Sequence, residues 1–291
     1  MSKPRLGFCG TGLMGLPMVL RLIAAGYPVT VWNRSADKAA PAVAAGAVQA
    51  ATPAALAQNS DVVMACLTNA AAVEAVLFGP GGVAEVSGPT TYVDFSSMDP
   101  HHTRTYATRL AAANGMGWVD APVSGGTPAA KAGTLTIMAG GAEADVARTA
   151  PLMDAVAQRF THMGPVGSGQ MTKLVNQIIA GSTMAVVAEA VSFAKRNGVD
   201  ATRLADALAG GFADSKPFQL LAPRMAAETF EDPLGTVAMM LKDLDTVAAV
   251  AGDTQALPMT TTARALMRES ADAGHAQDDI STIVLTLNQR T

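Results

Sequence analysis

A lysine and an asparagine stand three residues apart at the start of a predicted helix, and together they could act on a carbonyl group. Lys173 and Asn176 follow Gly167 and Gly169, and glycines permit the sharp turn that leads into a helix. Residues three apart share one helix face. A lysine whose pKa is lowered by burial can protonate an aldehyde oxygen during reduction and act as the base during oxidation. The alternative is a solvated lysine in a frayed first turn.

A glycine-rich segment near the beginning of the chain predicts a dinucleotide-binding loop. Residues 5–9 are typical of a buried strand, and the helical pattern of residues 16–25 follows the loop. Gly10 permits a tight turn, Gly12 lets the backbone approach a pyrophosphate, and Gly15 lets helix and strand pack closely. Amides at the helix start can bind the phosphates. We therefore expect cofactor contacts from Gly10, Thr11, Gly12, Leu13, Met14 and Gly15.

The residues after the second predicted strand indicate which dinucleotide binds. Asn33, Arg34 and Ser35 follow the strand at residues 28–32. An NAD site normally has an acidic residue here, which accepts a hydrogen bond from the ribose 2′-hydroxyl. An amide and a guanidinium suit a 2′-phosphate instead. The sequence therefore predicts NADP(H) in preference to NAD(H), and the alternative is an ordinary arginine of a surface loop.

Three polar or loop residues follow two further predicted strands. Leu67 and Thr68 come after residues 61–66, and Ser97 comes after residues 91–95. Ligands of doubly wound sheets bind beyond the carboxyl ends of the strands. We therefore expect these residues to contact the cofactor, although Thr68 and Ser97 could equally be ordinary loop or helix-capping residues.

Two more groups could bind a substrate or the cofactor. Ser124 precedes Gly125 and Gly126, and a hydroxyl beside bare backbone amides can bind a carboxylate. Lys242 and Asp243 lie among apolar neighbours in a predicted helix. This charged pair either lines a cleft or forms a solvated surface patch.

The elements that must position these residues divide the chain into two parts. Predicted strands and helices alternate through residues 1–164, which indicates an α/β Rossmann domain that binds NADP. Residues 165–291 show helical periodicity and predict an all-α domain, which includes a long interdomain helix at about residues 170–197. That helix is apolar on most faces, so we expect it to be buried between domains or between subunits.

Composition excludes several other classes of protein. The chain is 49% apolar and 15% charged, as in a compact enzyme, and its net charge of −4 gives no basic surface for nucleic acid. The four histidines show no metal-ligand spacing. Ser182, Thr183 and Glu189 make the long helix a poor membrane span. The first residues lead into a strand without a signal-peptide pattern, so we expect a cytoplasmic protein whose Cys9 and Cys66 are free thiols.

Four motifs in order resemble those of the β-hydroxyacid dehydrogenase family, along essentially the whole chain. They are the glycine loop, residues 120–126, residues 167–176, and the pair Lys242 and Asp243. The resemblance implies an NAD(P)-dependent oxidoreductase that interconverts a short semialdehyde and a β-hydroxyacid. It further implies a Rossmann domain, a helical second domain, an active site at their junction, and a homodimer or homotetramer.

The resemblance also implies a role for individual residues. Lys173 would be the catalytic acid–base group, and Ser97 and Lys242 would contact the cofactor. The implied substrate-binding residues are Ser124, Gly125, Gly126, Asn176 and Asp243.

Within the family, Asn176, Gln177 and residues 209–215 are most similar to the tartronate semialdehyde (2-hydroxy-3-oxopropionate) reductases. A 3-hydroxyisobutyrate dehydrogenase or another short-chain semialdehyde reductase is the alternative. An imine reductase and a non-catalytic dinucleotide-binding protein are more distant, since the former commonly lacks the lysine at position 173 and the latter has no need of it.

One departure from the family bears on the substrate. Gly235 stands, by an ungapped count back from Asp243, where many relatives have a phenylalanine over the substrate. Its absence predicts a roomier pocket, unless Phe230 or Met239 fills the space.

Overall fold

The computed structural model describes residues 3–290 and separates them into two compact units. The first unit ends at Lys173 and the second begins at Leu174, so the division lies inside a helix. The sequence predicts a domain boundary between residues 164 and 165, just before this helix.

The first unit contains a single sheet. In the part of the chain that the structure describes, the strands are β1 Leu6–Cys9, β2 Val29–Trp32, β3 Val48–Gln49, β4 Val62–Ala65, β5 Thr91–Asp94, β6 Gly117–Asp120, β7 Val123–Ser124, β8 Leu135–Gly141 and β9 Ala157–Gly164. The order β3-β2-β1-β4-β5-β6 is parallel throughout, which is the Rossmann order. β8 then pairs antiparallel with β6 and β7 and parallel with β9. The predicted α/β Rossmann fold is confirmed.

Helices cover both faces of this sheet. They are α1 Gly15–Ala24, α2 Ala40–Ala44, α3 Pro53–Gln58, α4 Ala70–Phe78, α5 Pro100–Asn114, α6 Gly126–Ala132, α7 Glu143–Met153 and the beginning of α8 Ser168–Arg196, with short 3₁₀ turns at Ala36–Ala39 and Val83–Glu85. Every residue of β1, β4 and β5 is buried, as expected where helices cover a parallel sheet on both sides. Alternate side chains enter opposite cores, so Phe8 packs in one and Cys9 in the other.

The second unit is helical, as the sequence predicts. Its remaining helices are α9 Leu204–Leu208, α10 Lys216–Ala227, α11 Val237–Ala251, α12 Pro258–Ser270 and α13 Ile283–Asn288, with 3₁₀ turns at Ala201–Arg203, Thr254–Ala256 and Ile280–Thr282 and a π-turn at Ala271–His275. Apolar side chains of α8 and α10 to α13 form its core. Val191 of α8 and Leu244 of α11 are completely buried there.

Only some of the apolar side chains of helix α8 are buried against other residues of the same chain. Val187 and Val191 lie in the core of the second unit, whereas Ile179 is 64% exposed and Phe193 is 63% exposed. Among the described residues, α8 is the helix long and apolar enough to cross a membrane, a test that core helices also pass. The predicted burial of its remaining face between subunits stays a prediction.

Three local predictions were wrong or missing. The helical pattern of residues 142–157 predicts one helix over this whole range, but α7 ends at Met153 and β9 begins at Ala157. Helix α4 was not predicted, since its residues are almost uniformly apolar and show no helical period. Helix α6 begins with glycine and proline, which are typical of loops.

Candidate active site

The three glycines of the first loop differ in how much space surrounds a side chain at each position. Gly10 has a φ of +99°, and a Cβ there would lie 2.4 Å from the Cys66 carbonyl oxygen. A Cβ on Gly15 would lie 1.9 Å from the Gly10 carbonyl oxygen. A Cβ on Gly12 would meet nothing within 4 Å. The fold therefore requires Gly10 and Gly15, whereas Gly12 leaves open space before α1 that a phosphate could fill.

Asn33 joins this loop to the end of β2. Its side-chain oxygen accepts a hydrogen bond from the Thr11 amide at 3.0 Å, and its Nδ2 donates to the Ser35 carbonyl at 2.9 Å. The Thr11 hydroxyl is buried and has no hydrogen-bond partner in the described part of the chain. Arg34 is exposed, and a cation there is available to a phosphate.

The loops after β4 and β5 are joined to each other. The Leu67 amide donates to Ser96 Oγ at 2.9 Å. Thr68 is exposed and Ser97 is partly buried. Because β1, β2, β4 and β5 are parallel neighbours, their carboxyl ends share one edge of the sheet. The predicted cofactor residues of the first unit therefore lie along one edge, and the open space at Gly12 and the cation at Arg34 fit a dinucleotide.

The segment around Ser124 contains a short strand and the beginning of a helix. Ser124 belongs to β7 and pairs with Thr136 of β8. Gly125 has a φ of +124°, a conformation that favours glycine, and α6 begins at Gly126. The serine hydroxyl and the two glycine amides thus lie at a strand-to-helix turn.

Two aspartates end neighbouring strands, and the sequence assigned a role to neither. Asp94 of β5 and Asp120 of β6 are register partners, and both are 0% exposed. Burial raises the pKa of Asp94 to about 7 against opposing hydrogen bonds from Ser96, and the neighbouring Asp120 adds to the rise. Burial also raises the pKa of Asp120, although several backbone N–H groups oppose this rise. A charged residue at the end of each strand, in a chain with few charges, was the available signal.

Asp120 and Gln170 hold the beginning of α8. The Gly167 and Gln170 amides donate to the Asp120 carboxylate at 2.8 and 2.9 Å. Gln170 Nε2 donates to the Ser96 carbonyl at 2.7 Å, and its Oε1 accepts from the Met98 amide at 3.2 Å. Lys173 follows Gln170 by three residues and is partly buried.

A polar network also occurs within the second unit. Asn176 Nδ2 donates to Gln177 Oε1 at 2.7 Å, and Gln177 Nε2 donates to Asp243 Oδ2 at 2.6 Å. Lys242 Nζ lies 3.1 Å from Asp243 Oδ1. Gln177 is buried and links residues of α8 and α11, although from the sequence it was only a point of similarity to one group of reductases.

The thiols and the remaining titratable residues show no second reactive centre in the part of the chain that the structure describes. Cys9 and Cys66 are free, and burial raises the pKa of each thiol to about 12. Such thiols are poor nucleophiles at neutral pH. Within residues 3–290, no three metal-binding side chains cluster.

Comparison with known proteins identifies the family. Residues 5–164 match the family described as the NAD binding domain of 6-phosphogluconate dehydrogenase, and residues 167–287 match the NAD-binding domain of NADP-dependent 3-hydroxyisobutyrate dehydrogenase. The 2-hydroxy-3-oxopropionate reductase of Escherichia coli strain K12 is 37% identical over 288 residues, which are 97% of each protein. The chain belongs to the β-hydroxyacid dehydrogenase family.

Two solved structures with similar folds agree with this assignment. The 3-hydroxyisobutyrate dehydrogenase of Mycobacterium tuberculosis, solved with L-serine, has a TM-score of 0.86, an identity of 27% and complete coverage of both chains. Psf3, solved with NADP+ and 2-OPP, has a TM-score of 0.87 and an identity of 25%, and the match covers 97% of this chain and 99% of Psf3. This family member is therefore an oxidoreductase that acts on CH–OH groups with a nicotinamide dinucleotide.

Proposed function

We propose that this protein is an NADPH-dependent 2-hydroxy-3-oxopropionate reductase. The observation that carries the proposal is its 37% identity to the E. coli reductase over 97% of both chains. The substrate would be a short aldehyde with a carboxylate, and the product would be the corresponding β-hydroxyacid. The bound nicotinamide supplies the hydride, and the protein supplies position and charge.

Lys173 is the proton donor in this proposal. Negative charge develops on the aldehyde oxygen during reduction, and a proton delivered to that oxygen lowers the barrier. Lys173 is partly buried, and its ammonium group is the proton donor in this step. In the oxidation direction the neutral amine accepts the proton from the substrate hydroxyl.

Ser124, Gly125 and Gly126 bind the substrate carboxylate in this proposal. The Ser124 hydroxyl and the glycine amides can donate to the carboxylate oxygens, and these bonds would hold the reacting carbonyl in a fixed orientation. The roles predicted for Asn176, Asp243 and Lys242 stay predictions.

We attribute the NADPH preference to Arg34. This exposed guanidinium follows β2, where an acidic residue would favour NAD(H). The Asn33 side chain accepts a hydrogen bond from the Thr11 amide and donates one to the Ser35 carbonyl. These two bonds fix the backbone on both sides of Arg34.

A 3-hydroxyisobutyrate dehydrogenase is the second candidate, supported by the M. tuberculosis structure. The two functions separate in a panel of short semialdehydes and β-hydroxyacids, assayed with NADPH and with NADH. The proposal requires the highest kcat/KM with 2-hydroxy-3-oxopropionate and NADPH. A higher value with the 3-hydroxyisobutyrate pair would assign the protein to the second candidate.

The acid–base role is tested with Lys173→Ala. We expect kcat to fall roughly 10²–10⁴-fold, with NADPH affinity nearly unchanged. Lys38→Ala is the control, because Lys38 is an exposed lysine of the same unit and should leave turnover intact. Near-normal turnover of Lys173→Ala would remove the assignment.

We also propose that the protein is a homo-oligomer whose subunits pair through α8. Exposed apolar side chains recur four and seven residues apart on this helix, at Val175, Ile179, Val186 and Phe193. A two-fold axis allows one such helix face to cover the same face of a second copy. Light scattering should give a dimer or tetramer, and Ile179→Glu should shift it towards monomer. A monomeric wild type would refute the proposal.

A further inference from the structure

The carboxylate of Asp120 is buried where the end of β6 meets the beginning of α8. It is 0% exposed, and a buried carboxylate is stable only when its charge is compensated. The Gly167 and Gln170 amides donate to it at 2.8 and 2.9 Å, and a hydrogen bond from the Gly169 amide also lowers its pKa. All these donors belong to the turn that opens α8. Besides the N–H of Asp120 itself, the carboxylate therefore accepts hydrogen bonds from backbone amides of one helix start.

Asp120 and its neighbour Asp94 differ in the hydrogen-bond donors that surround their carboxyl groups. The pKa of Asp94 rises to about 7 through burial and the proximity of Asp120. Asp94 Oδ2 has no hydrogen-bond partner among the described residues, whereas Asp120 has several N–H donors, which favour the ionised form. The N–H donors around Asp120 therefore favour its ionised form more than the surroundings of Asp94 favour that of Asp94.

Close packing leaves this helix start no room to move towards the sheet. A Cβ on Gly169 would lie 2.5 Å from the carbonyl oxygens of Asp120 and Met138. A Cβ on Gly140 of β8 would lie 2.7 Å from Asp120 Oδ1 and from the Gly169 nitrogen. The backbone of α8 therefore rests directly on the ends of β6 and β8.

The Gln170 side chain attaches the same turn to the segment after β5. It donates to the Ser96 carbonyl and accepts from the Met98 amide. Ser96 in turn accepts, through Oγ, a hydrogen bond from the Leu67 amide. The first turn of α8 is thus fixed to the loops that carry the predicted cofactor residues Leu67 and Ser97.

We propose that Asp120 is a positioning residue for Lys173. Lys173 lies less than one helical turn beyond Gln170, so a shift or tilt of the first turn moves Lys173 by a similar distance. By binding the amides of that turn, Asp120 sets the position from which the lysine donates its proton. The inference rests on the proposed role of Lys173.

The first test is Asp120→Asn, which keeps the size of the side chain but replaces one acceptor oxygen with a donor NH₂. We expect kcat to fall about 10–100-fold, since a displacement of about 1 Å can cost that much. The dissociation constant of NADPH, measured by its fluorescence, should change by less than about threefold, because the glycine loop is untouched. Backbone amides of residues 165–172 should exchange hydrogen faster.

Asp145→Asn is the matched control. Asp145 belongs to α7 of the same unit, its side chain is only 16% exposed, and it accepts from Thr91 and Arg148. This variant should lose stability without faster exchange at residues 165–172 and without a comparable loss of kcat. An equal loss of kcat in both variants would mean that Asp120 acts only through general stability, and would overturn the proposal.

A double-mutant cycle with Lys173→Ala separates positioning from a merely structural role. If Asp120 acts through Lys173, Asp120→Asn should lower kcat by less than about threefold in the Lys173→Ala background. Additive losses would overturn the proposal. If Asp120→Asn does not fold, Gln170→Met takes its place in the cycle, because it removes the hydrogen bonds to Ser96 and Met98. It should then lower kcat by less than about threefold in the Lys173→Ala background, and additive losses would overturn the proposal.

Failure of the proposed function gives a different result. In that case Lys173→Ala alone would retain turnover, whatever Asp120→Asn does. If Lys173→Ala loses turnover but Asp120→Asn keeps normal kcat and normal exchange at residues 165–172, only the inference about Asp120 fails.

Discussion

The buried carboxyl group of Asp94 should make the stability of this protein fall as pH rises. The side chain is 0% exposed, and Oδ2 finds no hydrogen-bond partner in the described residues. Burial raises its pKa from 3.8 to about 7. The change Asp94→Asn keeps the shape of the protonated acid and its ability to accept from the Ser96 amide, but removes the titration.

The sign and size follow from proton linkage. Between about pH 4 and pH 7 the folded protein keeps the Asp94 proton while the unfolded chain releases it, so the free energy of unfolding decreases with pH. The pKa difference of about three units, at 1.36 kcal/mol per unit, corresponds to about 4 kcal/mol. The decrease begins as pH rises above the unfolded pKa and is complete above about pH 7. Relative to wild type, Asp94→Asn should therefore gain up to about 4 kcal/mol at pH 8 and much less near pH 4.

Urea unfolding at intervals from pH 4.5 to pH 8.5 measures this difference. Asp37→Asn is the control, because Asp37 is exposed and its replacement should shift the stability of the protein little at any pH. If the free energy of unfolding changes with pH in the same way for wild type and Asp94→Asn, the Asp94 proton is not linked to folding and the prediction is refuted.

Three further predictions concern the loops and the substrate pocket. Gly12→Ala should keep the wild-type Tm but weaken NADPH binding about tenfold or more, roughly 1.4 kcal/mol. Gly15→Ala should instead lower the free energy of unfolding by about 1–3 kcal/mol. Calorimetry measures Tm and fluorescence titration measures NADPH binding, and equal effects of the two variants on Tm would contradict the geometry. Arg34→Ala should cost about 1.5–3 kcal/mol of binding with NADPH and little with NADH, and equal weakening of both would argue against a 2′-phosphate contact. A Cβ added at Gly235 would meet nothing within 4 Å. Gly235→Phe should therefore make kcat/KM fall more steeply as the aldehyde becomes larger. An unchanged dependence on aldehyde size would mean that Gly235 lies away from the substrate.

Local sequence patterns predicted most of the fold because the strands and the glycine loop are each specified by neighbouring residues. The strand at Leu6–Cys9 and the helix that follows Gly15 are examples. Helix α4 escaped prediction because an element that is apolar on every side shows no period. The short strand that contains Ser124 was not predicted, because it depends on its pairing with β8.

The contacts of the candidate site were harder to predict because they join residues far apart in the chain. Asp120 accepts from Gly167 and Gln170, which are 47 and 50 positions later. Gln177 reaches Asp243 across 66 positions. The sequence shows that such polar residues exist, but only the folded backbone brings a particular donor to a particular acceptor. Residue spacing and resemblance to a family both indicated Lys173, yet neither indicated what holds the first turn of its helix.

The unequal surroundings of the loop glycines have a consequence for how this sequence can vary. Gly10 and Gly15 are confined by backbone atoms of their own fold, whereas the space beside Gly12 is open. A library randomised at these positions and selected only for soluble, folded protein should therefore keep glycine at 10 and 15 but accept alanine at 12. Adding a selection for cofactor binding should restore glycine at 12. The same short loop would thus meet two separate requirements, one for folding at Gly10 and Gly15 and one for cofactor binding at Gly12.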